Sequence, residues 1–222
     1  MKAIYLDNNA TTQVASEVLD AMVPYLHDLY GNPSSMHSFG GQVAKTIREA
    51  RERVAHLIGA DFEEVIFTSC GTESDNTAIL SALAVNPDRK HIVTSRVEHP
   101  AVKVLCEHLK GKGYNVTELA VDSEGRLDME QYENSLTRDT AVVSLMWANN
   151  ETGVIFPVEE AAQLAGDRDI FFHTDAVQAV GKIPINLKDN SISMLSLSGH
   201  KLHAPKGVGA LYVRKGTRYS PF

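Results

Sequence analysis

Apolar residues at helical spacing predict that the first part of the chain is helical. They recur at this spacing over residues 14–30, and the sequence Gly31-Asn-Pro-Ser-Ser35 then breaks the pattern. A second apolar stripe ends just before Gly59, a residue type common after the last turn of a helix. This stripe consists of Val43, Ile47, Val54, Leu57 and Ile58. We therefore expect an N-terminal helical segment over about residues 1–60.

Beyond Gly59, short apolar runs alternate with helical stretches. Strands are predicted at residues 65–68, 91–95, 114–121, 141–148 and 170–174, and helices at residues 73–84, 101–110, 127–136 and 158–165. Two further apolar runs, 194–197 and 208–213, flank a turn rich in Gly, Ser, His and Pro. Repeated βα units predict an α/β fold with a mainly parallel, doubly wound sheet. Ligands of such sheets bind outside the carboxyl ends of the strands, so functional residues are expected there.

Composition and charge exclude several classes of protein. The 222 residues are 43% hydrophobic and 22% charged, with a formal net charge of −7, which is typical of a globular domain. An acidic protein is not attracted to nucleic acid or to an anionic membrane surface, so neither partner is expected. No apolar run suits a signal peptide or a membrane span, which predicts a cytoplasmic location. Cys70 and Cys106 lack CxxC spacing, so neither a disulfide framework nor a structural zinc site is expected.

Lys201 lies in an unusual setting for a lysine. It follows the apolar run 194–197 in a turn with several glycines, where its stem is expected to be enclosed at the end of a buried strand. Burial lowers the pKa of an amine and makes it a nucleophile toward aldehydes such as pyridoxal phosphate. The alternative is a lysine whose stem is covered and whose charged end reaches water, as is common for this residue.

The strand at residues 65–68 runs into the sequence Thr68-Ser-Cys-Gly-Thr-Glu-Ser74 at the start of a helix. Free backbone N–H groups, a glycine and several hydroxyls suit a phosphate group there. Gly71 and Thr72 are the candidate ligands. The alternative is an ordinary helix cap made by Thr72 or Ser74. No glycine fingerprint of a nucleotide-binding protein is present.

Two more predicted strands end in polar sequences. Glu98-His99-Pro100 places an imidazole where a helix begins, and such a group can stack on a flat ring and transfer protons. The alternative is a hydrogen-bonded core histidine. The loop Asn149-Asn-Glu-Thr-Gly153 contains more amide side chains than turn formation alone requires.

The apolar strand that precedes Asp175 ends in this carboxylate and is followed by Ala176-Val-Gln178. A buried acid needs a cation or a donor, and the pyridinium nitrogen of pyridoxal phosphate is one such partner. Gln178 lies at (i, i+3) spacing if a helix starts at Asp175, and could bond the ring hydroxyl. The alternative for Asp175 is a plain N-cap. Together, the four clusters supply a phosphate cradle, a stacking group, a pyridinium partner and a Schiff-base lysine.

Several motifs in this chain resemble those of the cysteine desulfurases. They are Leu6-Asp-Asn-Asn-Ala-Thr-Thr12, Gly31-Asn-Pro-Ser-Ser35, Gly71-Thr-Glu-Ser74, Glu98-His-Pro100, Asn149-Asn-Glu-Thr-Gly153, His173-Thr-Asp-Ala-Val-Gln178 and Ser196-Leu-Ser-Gly-His-Lys201. The resemblance covers the whole chain, and around Cys70, Trp147 and His203 it is closest to the nitrogen-fixation, NifS-like branch. It implies a class V, fold-type I transferase that takes sulfur from L-cysteine and leaves L-alanine and a persulfide.

The resemblance also implies partners and relatives. The sulfur would pass to an iron–sulfur scaffold protein for cluster assembly, in a homodimeric enzyme associated with iron, sulfur and metal binding, although no residue here is implied as a metal ligand. A selenocysteine lyase or an aminotransferase of the same class is the alternative enzyme. A non-catalytic cofactor-binding or scaffold fragment is the alternative from another functional class.

Carried over by position, the resemblance makes Lys201 the Schiff-base lysine, Asp175 the pyridinium partner and His99 the stacking residue and acid/base. Its implied cofactor ligands are Gly71, Thr72, Asn150, Gln178, Ser198, Gly199 and His200. Relatives continue into a small C-terminal domain that carries a sulfur-accepting cysteine and an arginine that binds the substrate carboxylate. Neither is matched here, so residues 1–222 are expected to be the large, cofactor-binding domain and to be inactive alone.

Overall fold

The computed structural model describes residues 4–221. Its helices are α1 (Ser16–His27), α2 (Ser38–Ile58), α3 (Gly71–Ala84), α4 (Pro100–Gly111), α5 (Met129–Ser135) and α6 (Val158–Gly166). Its strands are β1 (Val65–Thr68), β2 (His91–Ser95), β3 (Asn115–Leu119), β4 (Thr140–Met146), β5 (Phe171–Asp175), β6 (Met194–Ser198) and β7 (Gly209–Val213). Short 3₁₀ turns occur at Phe62–Glu64, Leu187–Asp189 and Gly199–Lys201.

The strands form one seven-stranded sheet in the order β1-β7-β6-β5-β4-β2-β3. Pairing is parallel from β6 through β3, while β7 runs antiparallel to both β6 and β1. The predicted mainly parallel α/β sheet is therefore confirmed. Because β1 has the direction of the parallel strands, the carboxyl ends of β1, β2, β4, β5 and β6 lie along the same edge.

Most predicted elements are present with boundaries that differ by a few residues. The first helix is shorter than predicted because it starts at Ser16 and ends at His27. Gly59 ends α2 in the left-handed conformation, with φ of 63°, as expected of a C-terminal glycine. No α-helix follows β5 directly: residues 177–182 form consecutive turns instead.

Helix α3 packs on the sheet beside the edge formed by these carboxyl ends. Its packed face includes Ala78, Ile79 and Ala82, which are fully buried, and it contacts β6 and β7 most extensively. By contrast, α1 buries none of its residues, and Leu19 and Leu26 are exposed. The described residues contain no helix long and apolar enough to cross a membrane.

Gly209, at the start of β7, allows close contact between the sheet and the loop before α3. A Cβ atom at this position would lie 2.7 Å from the carbonyl carbon of Cys70 and 2.9 Å from the carbonyl oxygen of Leu197. Gly209→Ala should therefore lower the free energy of unfolding by about 1–3 kcal/mol, the usual range for overpacking. Urea denaturation measures this loss.

Gly111→Ala is the matched control, because an added Cβ there meets no atom within 4 Å at the end of α4. Its stability should be unchanged or slightly higher. Equal stability of Gly209→Ala and the unaltered protein would contradict the close packing of these backbones.

Candidate active site

The loops at the carboxyl edge of the sheet surround a cavity of about 560 Å³, a volume typical of cofactor sites. All but one of the sequence-predicted site residues line this cavity. They are Gly71, Thr72, His99, Asn150, Asp175, Gln178, Ser198, His200 and Lys201. The topology therefore brings together side chains that are separated by as many as 130 residues (from Gly71 to Lys201).

The amino end of α3 forms one wall of the cavity. Cys70 caps the helix, because its Sγ accepts from the Glu73 amide at 3.4 Å. The sequence-based alternative of a cap at Thr72 or Ser74 is thus wrong: the helix begins earlier, and Ser74 is buried against Thr68, with 2.8 Å between their hydroxyl oxygens. The amides of Gly71 and Thr72 belong to the first turn, where N–H groups lack intrahelical acceptors and can bind an anion.

Gly71 itself is buried at this wall. A Cβ atom there would lie 3.0 Å from Val177 Cγ2 and 3.5 Å from Ser198 Cβ. The absence of a side chain therefore keeps the helix start close to the turn after β5 and to the end of β6, which allows a phosphate group to be enclosed between them.

Asp175 ends β5 and is 6% exposed. Its Oδ1 accepts from the Val177 amide at 2.9 Å, so Asp175 organises a turn and does not cap a helix. Burial raises the pKa of this carboxyl, and the Val177 amide, His99 and Lys201 partly oppose that shift. A buried carboxylate at a cavity wall requires a cationic or hydrogen-bonding partner, and a pyridinium nitrogen meets that requirement.

Lys201 ends the 3₁₀ turn after β6 and is half-buried. Its amine donates to the carbonyl oxygen of Ala10 at 2.8 Å and also to that of Asn9. Loss of hydration has the largest effect on Lys201 and lowers its pKa. The positive charge of Lys182 lowers this pKa further. The amine thus lies at the cavity wall beside the N-terminal segment, which favours the reactive-lysine interpretation over the alternative of a charged end in bulk water.

Two histidines line the cavity. His99 is exposed and caps α4, with its Nδ1 accepting from the Ala101 amide at 3.2 Å. The alternative of a core histidine is therefore wrong. His200 is held by the N-terminal segment: its ring Nδ1 lies 3.1 Å from Thr11 Oγ1, and its carbonyl oxygen accepts from the Thr12 amide at 2.9 Å. Loss of hydration lowers the pKa of His200, so at neutral pH its ring is uncharged.

The amide side chains divide into structural and cavity-facing groups. Asn149 is buried and organises its own loop, since its Oδ1 accepts from the amides of Glu151 and Thr152. Asn150 lines the cavity and donates to Glu151 Oε1 at 3.0 Å. Gln178 also lines the cavity, and its Nε2 donates to the Asn9 carbonyl oxygen at 2.9 Å.

The comparison with known proteins is consistent with this geometry. The family described as aminotransferase class-V matches residues 4–221. This chain belongs to the class-V aminotransferase family. The class-V aminotransferases, and the cysteine desulfurases among them, depend on pyridoxal phosphate.

Individual relatives show which members of the family this chain is similar to. The chain is 61% identical, over 222 residues, to the cysteine desulfurase NifS of Azotobacter vinelandii, covering all of this chain and 55% of that protein. A solved NifS-like protein superposes with a TM-score of 0.95 at 39% identity, covering 100% of this chain and 61% of the other. The structure described as SspA in complex with cysteine gives a TM-score of 0.95 at 38% identity, covering 99% and 64%. The chain spans about half the length of the curated relatives it matches.

Gly199 is the one predicted cofactor ligand that does not line the cavity at the carboxyl edge of the sheet. Its amide donates to the Val208 carbonyl oxygen at 3.0 Å. A Cβ atom there would lie 2.7 Å from Val208 Cγ1. The structure therefore gives Gly199 a packing role behind the cavity, and a direct contact with the cofactor stays a prediction.

The sequence reasoning assigned no role to some residues of the cavity wall. Asn9 and Ala10 supply the carbonyl oxygens that hold Lys201, and backbone atoms leave no residue-type signal. Asp75 was detectable: it lies on the stripe of α3 that continues through Ala78 and Ala82, so an acid stands on the helix face that packs against the sheet. No cluster of metal-ligating side chains is found within residues 4–221.

Glu98 is a second buried acid near the site, 6% exposed. Its Oε1 accepts from Ser95 Oγ at 2.6 Å and from the Met146 amide at 3.0 Å, while Oε2 has no partner among the described residues. Burial raises the pKa of Glu98 from 4.5 to about 8 against these hydrogen bonds. Glu98 is therefore protonated at neutral pH and joins the ends of β2 and β4 as a neutral acid.

This raised pKa makes stability depend on pH. The unfolded chain releases the proton near pH 4.5, whereas the folded chain retains it up to about pH 8. The stabilisation is thus complete below pH 4.5, and the free energy of unfolding should fall by about 1.4 kcal/mol per pH unit through this window. Glu98→Gln should remove that contribution, as measured by urea denaturation at several pH values between 5 and 8.

Glu107→Gln, at an exposed position of α4, is the control and should retain the parental slope. If Glu98→Gln also kept the parental slope, Glu98 would be ionised in the folded protein and the assignment would fail.

Proposed function

We propose that this chain provides the cofactor site of a pyridoxal-phosphate-dependent cysteine desulfurase. The observation that carries the proposal is the convergence, on one cavity, of Lys201, Asp175 and the open amino end of α3. These groups differ in chemistry and match the three parts of the cofactor: its aldehyde, its ring nitrogen and its phosphate. The likeness to cysteine desulfurases supports the choice of reaction.

The cavity residues fit the cofactor by their chemistry. Gly71 and Thr72 would hold the phosphate through first-turn amides, with Ser198 and His200 at the same side of the sheet. His99 would cover the ring face, while Asn150 and Gln178 would contact the ring hydroxyl. When bound, pyridoxal phosphate supplies an aldehyde that bonds reversibly to amines and a ring that withdraws electrons.

The protein's own groups prepare this chemistry. The lowered pKa of Lys201 increases its uncharged, nucleophilic fraction at neutral pH. Asp175 provides a fixed negative charge in a water-poor site, which favours a protonated ring nitrogen. His99 has its Nδ1 engaged by the Ala101 amide, which leaves Nε2 as the atom available to accept or donate a proton at the substrate.

The substrate proposed is L-cysteine, with L-alanine and a persulfide as the products. Cys70 lines the cavity and Cys106 is fully buried, with its pKa raised to about 12 by burial. Neither matches the sulfur-accepting position of the family, and a buried neutral thiol is a poor nucleophile. We therefore assign the acceptor role to neither cysteine, and the resemblance implies no arginine of this chain as the ligand of the substrate carboxylate.

A polypeptide whose intact mass shows that it consists of residues 1–222 should bind the cofactor but produce no alanine from cysteine. The loss follows because nucleophilic attack on the sulfur and positioning of the carboxylate both lack their groups. Chromatographic assay of alanine, with a protein of the relatives' full length as the control, measures the outcome. Substantial alanine formation by the 222-residue polypeptide would assign the acceptor role to Cys70 or Cys106.

The reaction type is tested in the same full-length protein. Sulfide released with a reductant, with no keto acid, supports the desulfurase. Keto-acid formation would instead identify an aminotransferase, and preferential release of selenide from selenocysteine would identify a lyase for that substrate.

The proposed enzyme is a cytoplasmic homodimer that delivers sulfur to an iron–sulfur scaffold protein. Exposed apolar residues in the N-terminal part support association with another surface: Leu19 and Leu26 on α1, and Tyr30 and Met36 after it. Light scattering should give the mass of a dimer for the full-length protein, and a stable monomer would reject this part of the proposal.

A further inference from the structure

A second aspartate lies behind Asp175. Asp75, on the packed face of α3, is 1% exposed and reaches the cavity wall. Its Oδ1 has no hydrogen-bond partner within the described part of the chain. An ionised carboxylate in a buried position requires a cation or hydrogen-bond donors, so the lack of a partner for Oδ1 disfavours the ionised form of Asp75.

The imidazole of His173 contacts Asp75. His173 precedes Asp175 by two residues on β5, so the two side chains share one face of the sheet, and it is fully buried. Its Nδ1 lies 2.9 Å from Ser144 Oγ, and its Nε2 lies 2.8 Å from Ser196 Oγ. Both ring nitrogens therefore already have hydroxyl partners.

The contact between His173 Nε2 and Asp75 Oδ1 measures 3.5 Å. It would be an ion pair only if the ring were charged. Complete burial lowers the pKa of His173 to about 3, so the ring is neutral, and a ring nitrogen that is already paired with Ser196 gives Asp75 no strong partner. A charged pair here would also place three charges in a water-poor pocket, whereas a neutral pair leaves only one.

The surroundings decide which carboxyl carries that one charge. Asp175 accepts from the Val177 amide, and the nearby Lys201 amine favours its negative charge. Burial disfavours a negative charge on Asp75, and the charge of Asp175 adds to that effect. Ser196, the strand partner of Asp175, favours ionisation of Asp75, but its hydroxyl is already paired with His173. Two carboxyls in one site do not both ionise readily.

We propose that Asp75 retains its proton and serves as a positioning residue, so that Asp175 alone of these two buried aspartates is ionised. As a neutral acid packed against His173 and Ser196, Asp75 fills the space behind Asp175 without competing for the cation that Asp175 binds. The assignment of protonation stands on the chain alone, while its consequence for the cofactor rests on the proposed function.

Infrared spectroscopy of the purified protein with ¹³C-labelled aspartate, without cofactor at neutral pH, tests the assignment. The C=O stretch of a protonated aspartic acid should be present in the unaltered protein and in Asp175→Asn, and absent in Asp75→Asn. The label excludes the neutral Glu98 from the signal. Persistence of the band in Asp75→Asn, or its complete absence from the unaltered protein, would overturn the proposal.

A second measurement needs no variant. The ¹⁵N shifts of His173 should report a neutral imidazole at pH 6, and an imidazolium would show that Asp75 is the ionised partner of a pair.

In the loaded protein, Asp75→Asn keeps the shape and neutrality of the acid, so its cofactor dissociation constant should stay within about threefold of the parental value. A larger loss would overturn the positioning role, whereas failure of every form to bind cofactor would reject the proposed function and leave the infrared result intact.

Discussion

Lys201→Ala is expected to lower the conversion of cysteine to alanine by several orders of magnitude in the full-length enzyme, because it removes the amine that bonds to the cofactor. The absorption of the protein-bound cofactor should change at the same time, since the covalent bond to the chain is lost. Steady-state assay of alanine and the visible spectrum of the purified variant measure both effects.

Lys182→Ala is the matched control, because Lys182 is the neighbouring cation that lowers the pKa of Lys201. Its amine contacts Gln178 Oε1 at the rim of the same region. This variant should keep the covalent cofactor and lose less than about tenfold in rate. If instead Lys182→Ala lost the covalent cofactor and Lys201→Ala kept it, the roles of the two lysines would be reversed.

Asp175→Asn is expected to slow exchange of the substrate Cα proton by about 10²–10³-fold, the range found when one electrostatic group is removed from a transition state. The asparagine keeps the shape of the side chain and an acceptor for the Val177 amide. Folding should therefore be retained, and thermal unfolding should change by only a few degrees. Proton exchange followed by NMR, together with calorimetry, separates the two effects.

Glu151→Gln tests whether any negative charge in the cavity has the same effect. Glu151 lines the same cavity, but it is exposed, so its charge is screened by water and its loss should change the rate by less than about tenfold. Parental proton exchange in Asp175→Asn, with cofactor bound, would show that Asp175 only organises the turn after β5.

The fold was predictable because its signals are local. Apolar runs separated by helical stretches identified β2, β4 and β5 to within a few residues, and the repeated order of elements implied the parallel sheet. The antiparallel insertion of β7 between β1 and β6 was not predicted, since it depends on long-range pairing. The turns after Asp175 were also not distinguished from a helix, because (i, i+3) spacing is common to both.

The site was partly predictable for the same reason. Lys201, Asp175 and His99 are polar residues at the ends of apolar strands, and the topology guarantees that such ends share an edge. The role of the backbone carbonyls of Asn9 and Ala10 could not be predicted from the sequence, because their position depends on how the N-terminal segment crosses the cavity. The role of Cys70 as the cap of α3 was also not predicted, because it required knowing where that helix begins.

Borohydride reduction of the pyridoxal-phosphate-loaded protein, followed by peptide mapping by mass spectrometry, tests the central assignment most directly. Reduction makes the bond between cofactor and lysine permanent, so the modified residue can be read from the fragment masses. The site described here predicts one modified lysine, Lys201, within the cavity that also contains Asp175. Modification of Lys182 or Lys206 with Lys201 unmodified, or no modified lysine after loading, would contradict it.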